Sequence, residues 1–223
     1  MIAILFGMVM TIAHYVSESL SSSLQDRRLK LLSFSGGVSL AYIFLELLPA
    51  SYDAVPHLHR ILFFLMLAGF CIFYLAEKHL YHHQSSKRES ELTKTHLYAF
   101  FLYHFFLGLV LAHMTSTTFL RGLLFFFPLL IHTMASTASL NEVHPRFKEH
   151  PFAKSLLANS SLLGVLFAIF FPLSPVTYYA LLSFIIGVLL YVVIRDLLPE
   201  DEGGSPAYFV MGILLYSLLL LFA

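Results

Sequence analysis

Charge and cysteine are what this chain has least of. Of its 223 residues only 12% are Asp, Glu, Lys or Arg, about half the share of an ordinary soluble domain. That shortage excludes a soluble globular enzyme and a disordered chain. Thirteen basic residues balance thirteen acidic ones. There is therefore no basic excess of the kind that holds nucleic acid through its phosphates. A single cysteine, Cys71, excludes an intrachain disulfide and a cysteine-based zinc finger. No His-Glu-x-x-His hydrolase motif and no nucleophile–base arrangement occurs, and the chain reads as a non-enzyme.

What is present is apolar: 58% of the residues, with a mean hydropathy of +0.80. A membrane helix needs roughly 20 mostly apolar residues. Eight such runs are legible, at about 1–20, 31–49, 58–80, 96–114, 119–142, 154–172, 176–198 and 206–223. The expected class is an all-α, multi-pass integral membrane protein with the lipid bilayer as its first partner. Its short loops suggest a plasma membrane. The apolar start from Ile2 onward carries no basic flank and reads as a first span rather than a cleaved leader. Pro49 ends the second span in this reading. The polar stretch from His82 to Thr95, with Lys87-Arg88-Glu89, is the longest connection.

Lys and Arg favour the cytoplasmic side of a membrane. Alternate connections carry Arg27, Arg28 and Lys30; Lys78, Lys87, Arg88 and Lys94; Arg146, Lys148 and Lys154; and Arg195, eleven of the thirteen. The opposite side has only Arg60 and Arg121. Both termini are therefore expected outside.

Residues 31–49 and 181–199 align without gaps at an offset of 150, with ten identities in nineteen positions. Five identities are leucines; the other five are Ser33/Ser183, Phe34/Phe184, Gly37/Gly187, Val38/Val188 and Pro49/Pro199. Glu46 also faces Asp196. These are the second and seventh spans, so they cross the membrane in opposite directions. Inverted repeats of this kind mark secondary transporters. The simplest expected layout is 3+2+3: one transmembrane domain over 1–223, with a first repeat in 1–80, a central pair in 96–142 and an inverted repeat in 154–223.

Ionisable groups at membrane depth are costly and face a cavity or a partner. Glu46 and Asp196 would stand one at each mouth of a pathway. His104 and His132 lie in the middle of the fourth and fifth spans. Neutral imidazole is a metal ligand and a proton relay, though a lone buried histidine bonded to a neighbouring helix is commoner. Ser136 and Ser139 share the face of His132, with Thr133 and Thr137 beside it; such residues also let membrane helices pack closely. His14 and Glu18, four apart in the first span, read as solvated or interfacial, as do His57, His59, His79, His82 and His83. Two histidines on adjacent helices are also what axial haem ligation would use.

These features resemble the ZIP (Zrt/Irt-like) family of divalent metal transporters. Phe44-Leu45-Glu46-Leu47-Leu48-Pro49-Ala50 is similar to the family's Phe-Leu-His-Leu-Leu-Pro-Glu ending of the second span. Tyr74-Leu75-Ala76-Glu77-Lys78-His79-Leu80 is similar to its Leu-Glu-Lys ending of the third. Gly187 to Glu200 resembles its seventh. The resemblance implies eight spans and alternating-access transport. It implies a divalent ion (zinc, manganese, iron or cadmium) as substrate, with no resident cofactor assigned. A homodimer or another membrane protein would be the partner.

The departures fall on the ligands. Where the fourth span of the family has His-Asn-x-x-Asp-Gly, this chain has Tyr103-His104-Phe105-Phe106-Leu107-Gly108. Where the fifth has His-Glu-x-Pro-His-Glu, only the first histidine survives, as His132; Thr133, Ala135, Ser136 and Thr137 replace the glutamate, proline, histidine and glutamate. The expected metal set is His132, His104 and Glu46. Tyr103, Thr133, Ser136, Thr137, Asn159 and Asp196 are expected to line the pathway. The alternative is a ZIP-like scaffold without transport, acting as a structural or binding subunit of a larger assembly.

Overall fold

The computed structural model describes residues 1–23, 25–53, 59–81, 89–143, 151–197 and 204–223; within these, the side chains of Glu18, Ser136, Thr137, Ser139 and Asp196 are among those left undescribed. The described chain is all-helical, in eight helices. They are α1 (Ile2–Ser23), α2 (25–53), α3 (His59–Tyr81), α4 (Glu89–Thr117), α5 (Phe119–Val143), α6 (Pro151–Phe170), α7 (175–197) and α8 (Pro206–Leu221). Three contain stretches long and apolar enough to cross a membrane by length and composition: Leu29–Tyr52, Tyr98–Thr117 and Pro175–Arg195. The other five carry shorter apolar stretches.

Polarity is distributed as a lipid-facing protein requires. Leu5, Met8 and Ile12 on α1, Ile61, Phe64, Leu67 and Leu75 on α3, and Leu214, Leu215 and Leu218 on α8 are exposed. His14, Ser17, Ser35, Ser39, His104, His132, Thr133, Ser160 and Ser161 are buried. An apolar outside around a partly polar inside reverses the water-soluble pattern.

Three helix boundaries differ from the sequence reading. α2 begins at Gln25 rather than 31, so Arg27, Arg28 and Lys30 lie in its first turns. Pro49 does not end α2, which runs on to Asp53. A π-turn at Ile43–Leu47 precedes it and shifts the hydrogen-bond register, so Pro49 lies in the first turn of the renewed α-helix, where a missing N–H costs little. The polar stretch ending at Thr95 is helical from Glu89, extending α4 by two turns beyond its apolar part.

The most extensive helix pairings are α4 with α6, α3 with α7 and α2 with α8. The last two are equivalent. On α2, a Cβ at Gly37 would collide with the Phe209 carbonyl of α8; on α7, one at Gly187 would collide with the Met66 carbonyl of α3. The reverse contacts match as well. Gly212 of α8 lies against the Phe34 carbonyl, and Gly69 of α3 against the Phe184 carbonyl. Gly37/Gly187 and Phe34/Phe184 are 150 apart, and Gly69/Gly212 and Met66/Phe209 are 143 apart. α7 also has a π-turn, at Val193–Leu197, 150 residues after that of α2. Each half thus builds the same glycine-to-carbonyl clasp and the same irregular turn. α2 packs on α5 and α7 packs on α4, again in correspondence.

Ser33 and Ser183 extend the match. The backbone N–H of Ser205, just before α8, donates to Ser33 Oγ at 3.0 Å, while Ser183 Oγ bonds Ser51 Oγ, just before the α2–α3 connection, at 2.8 Å. Each serine holds the joint leading into the helix that its own helix packs on.

Candidate functional site

The interior between α1, α4, α5 and α6 is where the buried polar groups gather. Here the chain brings helices close through small residues. Gly108 of α4 and Gly164 of α6 lie against the Ser161 and Phe105 carbonyls respectively, and Gly7 of α1 lies against Leu162. Backbones this close leave space only for side chains that project along the seams. His14, His104 and His132 each lie twelve or thirteen residues from a helix end at Ile2, Thr117 and Phe119, about 18–20 Å along the axis. They therefore share one depth.

His104 is fully enclosed, with 1% of its surface accessible. Its Nδ1 is 2.9 Å from the Phe100 carbonyl one turn back. A carbonyl only accepts, so Nδ1 carries the proton and Nε2 presents a lone pair. That Nε2 has no hydrogen-bond partner among the described residues. The His14 ring meets the His104 ring edge-on, with centroids 4.9 Å apart. The Tyr103 ring also lies 4.9 Å from that of His104. The Tyr103 hydroxyl shares a hydrogen bond of 3.0 Å with His132 Nε2, leaving His132 Nδ1 without a partner among the described residues. The result is a line across three helices: His14, His104, Tyr103, His132.

The surrounding polar groups are mostly turned to the backbone. Ser17 Oγ donates to the Met134 carbonyl at 2.6 Å and ties α1 to α5. Ser160 Oγ donates to the Leu157 carbonyl at 2.6 Å. Asn159, expected to line the pathway, is half-buried and donates back along its own helix to the Ser155 carbonyl at 2.8 Å. Thr133 is fully buried beside His132. The expected positions of Ser136, Thr137 and Asp196 fall on undescribed side chains.

The expected metal set His132, His104 and Glu46 is not assembled. Among the described residues no three His, Cys, Asp or Glu side chains come together in a group able to hold a metal ion. Glu46 belongs to the π-turn of α2, which packs against α7. There its charge lies within Coulombic reach of the phenols of Tyr42, Tyr178 and Tyr216. Tyr42 is buried, in T-shaped contact with Tyr216 at 5.7 Å, and Tyr178 stacks on His113 at 3.9 Å. One expected site is thus two: an imidazole–phenol line in one four-helix interior, and a carboxylate among tyrosines by the α2 π-turn.

His14 is the residue that sequence reasoning missed. Its four-residue spacing from Glu18 suggested an interfacial pair, whereas the structure buries it. The signal was the spacing of Ala3, Phe6, Met10, Ala13, His14 and Ser17, which marks one continuous buried face of α1. No family model matches the chain, and no curated protein matches it.

Proposed function

We propose that the chain is an eight-span, ZIP-like carrier that moves a small substrate, a divalent metal ion or another small species, by rocking its two halves about the central helix pair. The observation that carries this reading is the repetition of the glycine clasp and the π-turn in both halves. Two equivalent halves of opposite orientation give two conformations of similar energy, one open to each side, which alternating access needs. Opposite orientation follows if all eight helices span, with both termini outside, as the distribution of Lys and Arg indicates. The buried imidazole–phenol line on α4 and α5 occupies the central pair of that layout.

The test is flux in proteoliposomes. Zinc, manganese, iron(II) and cadmium are each offered under an imposed gradient with an indicator inside. Uptake above protein-free vesicles, lost in His104→Ala and His132→Ala, is the expected result. No movement of any of these four ions in either direction rejects a divalent metal as the substrate, and absent flux of silver(I) as well rejects the metal-carrier reading.

A second reading, a transport-inactive subunit on the same scaffold, is favoured by one observation. No described carboxylate joins the two imidazoles to balance a divalent charge. A stable stoichiometric partner after gentle extraction, together with absent flux, would select it.

A further inference from the structure

We propose that His104 and His14 form a binding site for a soft monovalent cation of the copper(I) or silver(I) class. This deepens the carrier reading by naming the ion, and it rests on that reading for its role in transport but not for binding itself.

Three observations carry it. First, the hydrogen bond to the Phe100 carbonyl fixes the His104 tautomer and holds the ring, so an unprotonated Nε2 stands buried and without a hydrogen-bond partner among the described residues. A bilayer-buried acceptor in that state has a use or a cost. Second, His14 approaches from a different helix with its ring centroid 4.9 Å away. Two imidazoles on separate helices are the ligand pair of a two-coordinate ion; a zinc site wants three or four protein ligands, and the described residues do not bring three together. Third, the described surroundings are neutral. The energy of burying an ion rises with the square of its charge, so a divalent ion costs about four times as much as a monovalent one in the same low-dielectric site. With imidazole and phenol but no described carboxylate to offset that, the single charge is preferred.

The softer ligands follow the same face. Met10 is one turn from His14 on α1 and fully buried. Thioether and imidazole together suit copper(I), which takes soft ligands that magnesium, calcium and manganese refuse. His132 presents its own open Nδ1 beyond Tyr103, a second station in the line.

The experiment is silver(I) and copper(I) binding to the purified full chain in detergent, by competition with a chromogenic copper(I) chelator. The expected result is one ion per chain, weakened at least tenfold by His104→Ala and by His14→Ala separately and unchanged by His113→Ala. X-ray absorption of the copper(I)-loaded wild type should show imidazole scattering, a readout independent of whether a variant folds. Three outcomes overturn the proposal. One is no stoichiometric binding. Another is binding lost only when His79, His82 and His83 are replaced together. The third is preferential zinc binding that Glu18→Gln removes, which would make the site a divalent one. Failure of flux with intact copper(I) binding would reject the carrier and leave the site standing.

Discussion

The hydroxyl of Tyr216 on α8 donates at 2.5 Å to the carbonyl of Leu124 on α5, and Leu124 is four residues before Pro128. Pro128 sits inside α5 without an N–H, so that carbonyl loses its helical donor. The tyrosine replaces it from a neighbouring helix. Tyr216→Phe therefore strands a buried carbonyl and should cost about 1–3 kcal/mol. Pro128→Ala restores the internal donor, so the double variant should lose much less than the two changes summed. Unfolding of the four proteins in bicelles by a graded denaturant measures the coupling, and strict additivity would mean that the two residues act independently.

The paired glycine clasps make a symmetric prediction. Gly37→Ala and Gly187→Ala each place a methyl against a carbonyl of the facing helix, at Phe209 and Met66. Each should destabilise by about 1–3 kcal/mol through forced separation of the backbones. Gly7→Ala comes no closer than 3.0 Å to Leu162, first at the end of its side chain, and should cost less. Equal loss at all three positions would remove the special status of the clasps. Thermal unfolding in detergent reads it.

Tyr103 and His132 form the buried bond that spans α4 and α5. Tyr103→Phe keeps the ring and deletes the hydroxyl, so that His132 Nε2 loses its described partner and neither ring nitrogen has one. A loss of about 1–2 kcal/mol is expected, and a Tyr103→Phe/His132→Phe cycle should show coupling of about 0.5–3 kcal/mol. The imidazole nitrogen shifts of His132 by NMR give a second readout, since deleting the hydroxyl must move the Nε2 resonance.

Topology can be read with thiols because only Cys71 need be removed first. On a Cys71→Ala background, Thr118→Cys and Ser174→Cys should react with an impermeant maleimide added to intact cells. Lys87→Cys and Ser205→Cys should react only after permeabilisation. Labelling of Ser205→Cys from outside would break the eight-span scheme.

Much of the helical framework was legible because apolar runs of membrane length have few alternatives, and all eight helices coincide with the runs read from the sequence. The α2/α7 likeness was legible because Ser33, Phe34, Gly37 and Val38 recur together. The α3/α8 likeness was not, because its content is a single contact geometry around Gly69 and Gly212, embedded in interchangeable leucine, phenylalanine and tyrosine. The site was legible in half. His104 and His132 stood out as ionisable groups at mid-span. His14 did not, since a histidine near serines at a helix end has the same local pattern whether it meets headgroups or another imidazole. Glu46 was expected beside the two imidazoles; among the described residues the three do not group, and its bearing depends on a π-turn that no residue pattern announces.

The two π-turns have a consequence for the history of the chain. A π-turn is a helix holding one residue more than its hydrogen-bond ladder needs, and that residue swings everything beyond it by about 100°. Finding the surplus at Ile43–Leu47 and again at Val193–Leu197, in the same register, points to one insertion inherited twice. If the halves arose by duplication, the insertion would predate it, in a half-length ancestor already carrying it. If all eight helices span, such a chain would have had to enter the membrane in both orientations and pair with its own upside-down copy before fusion made the arrangement permanent.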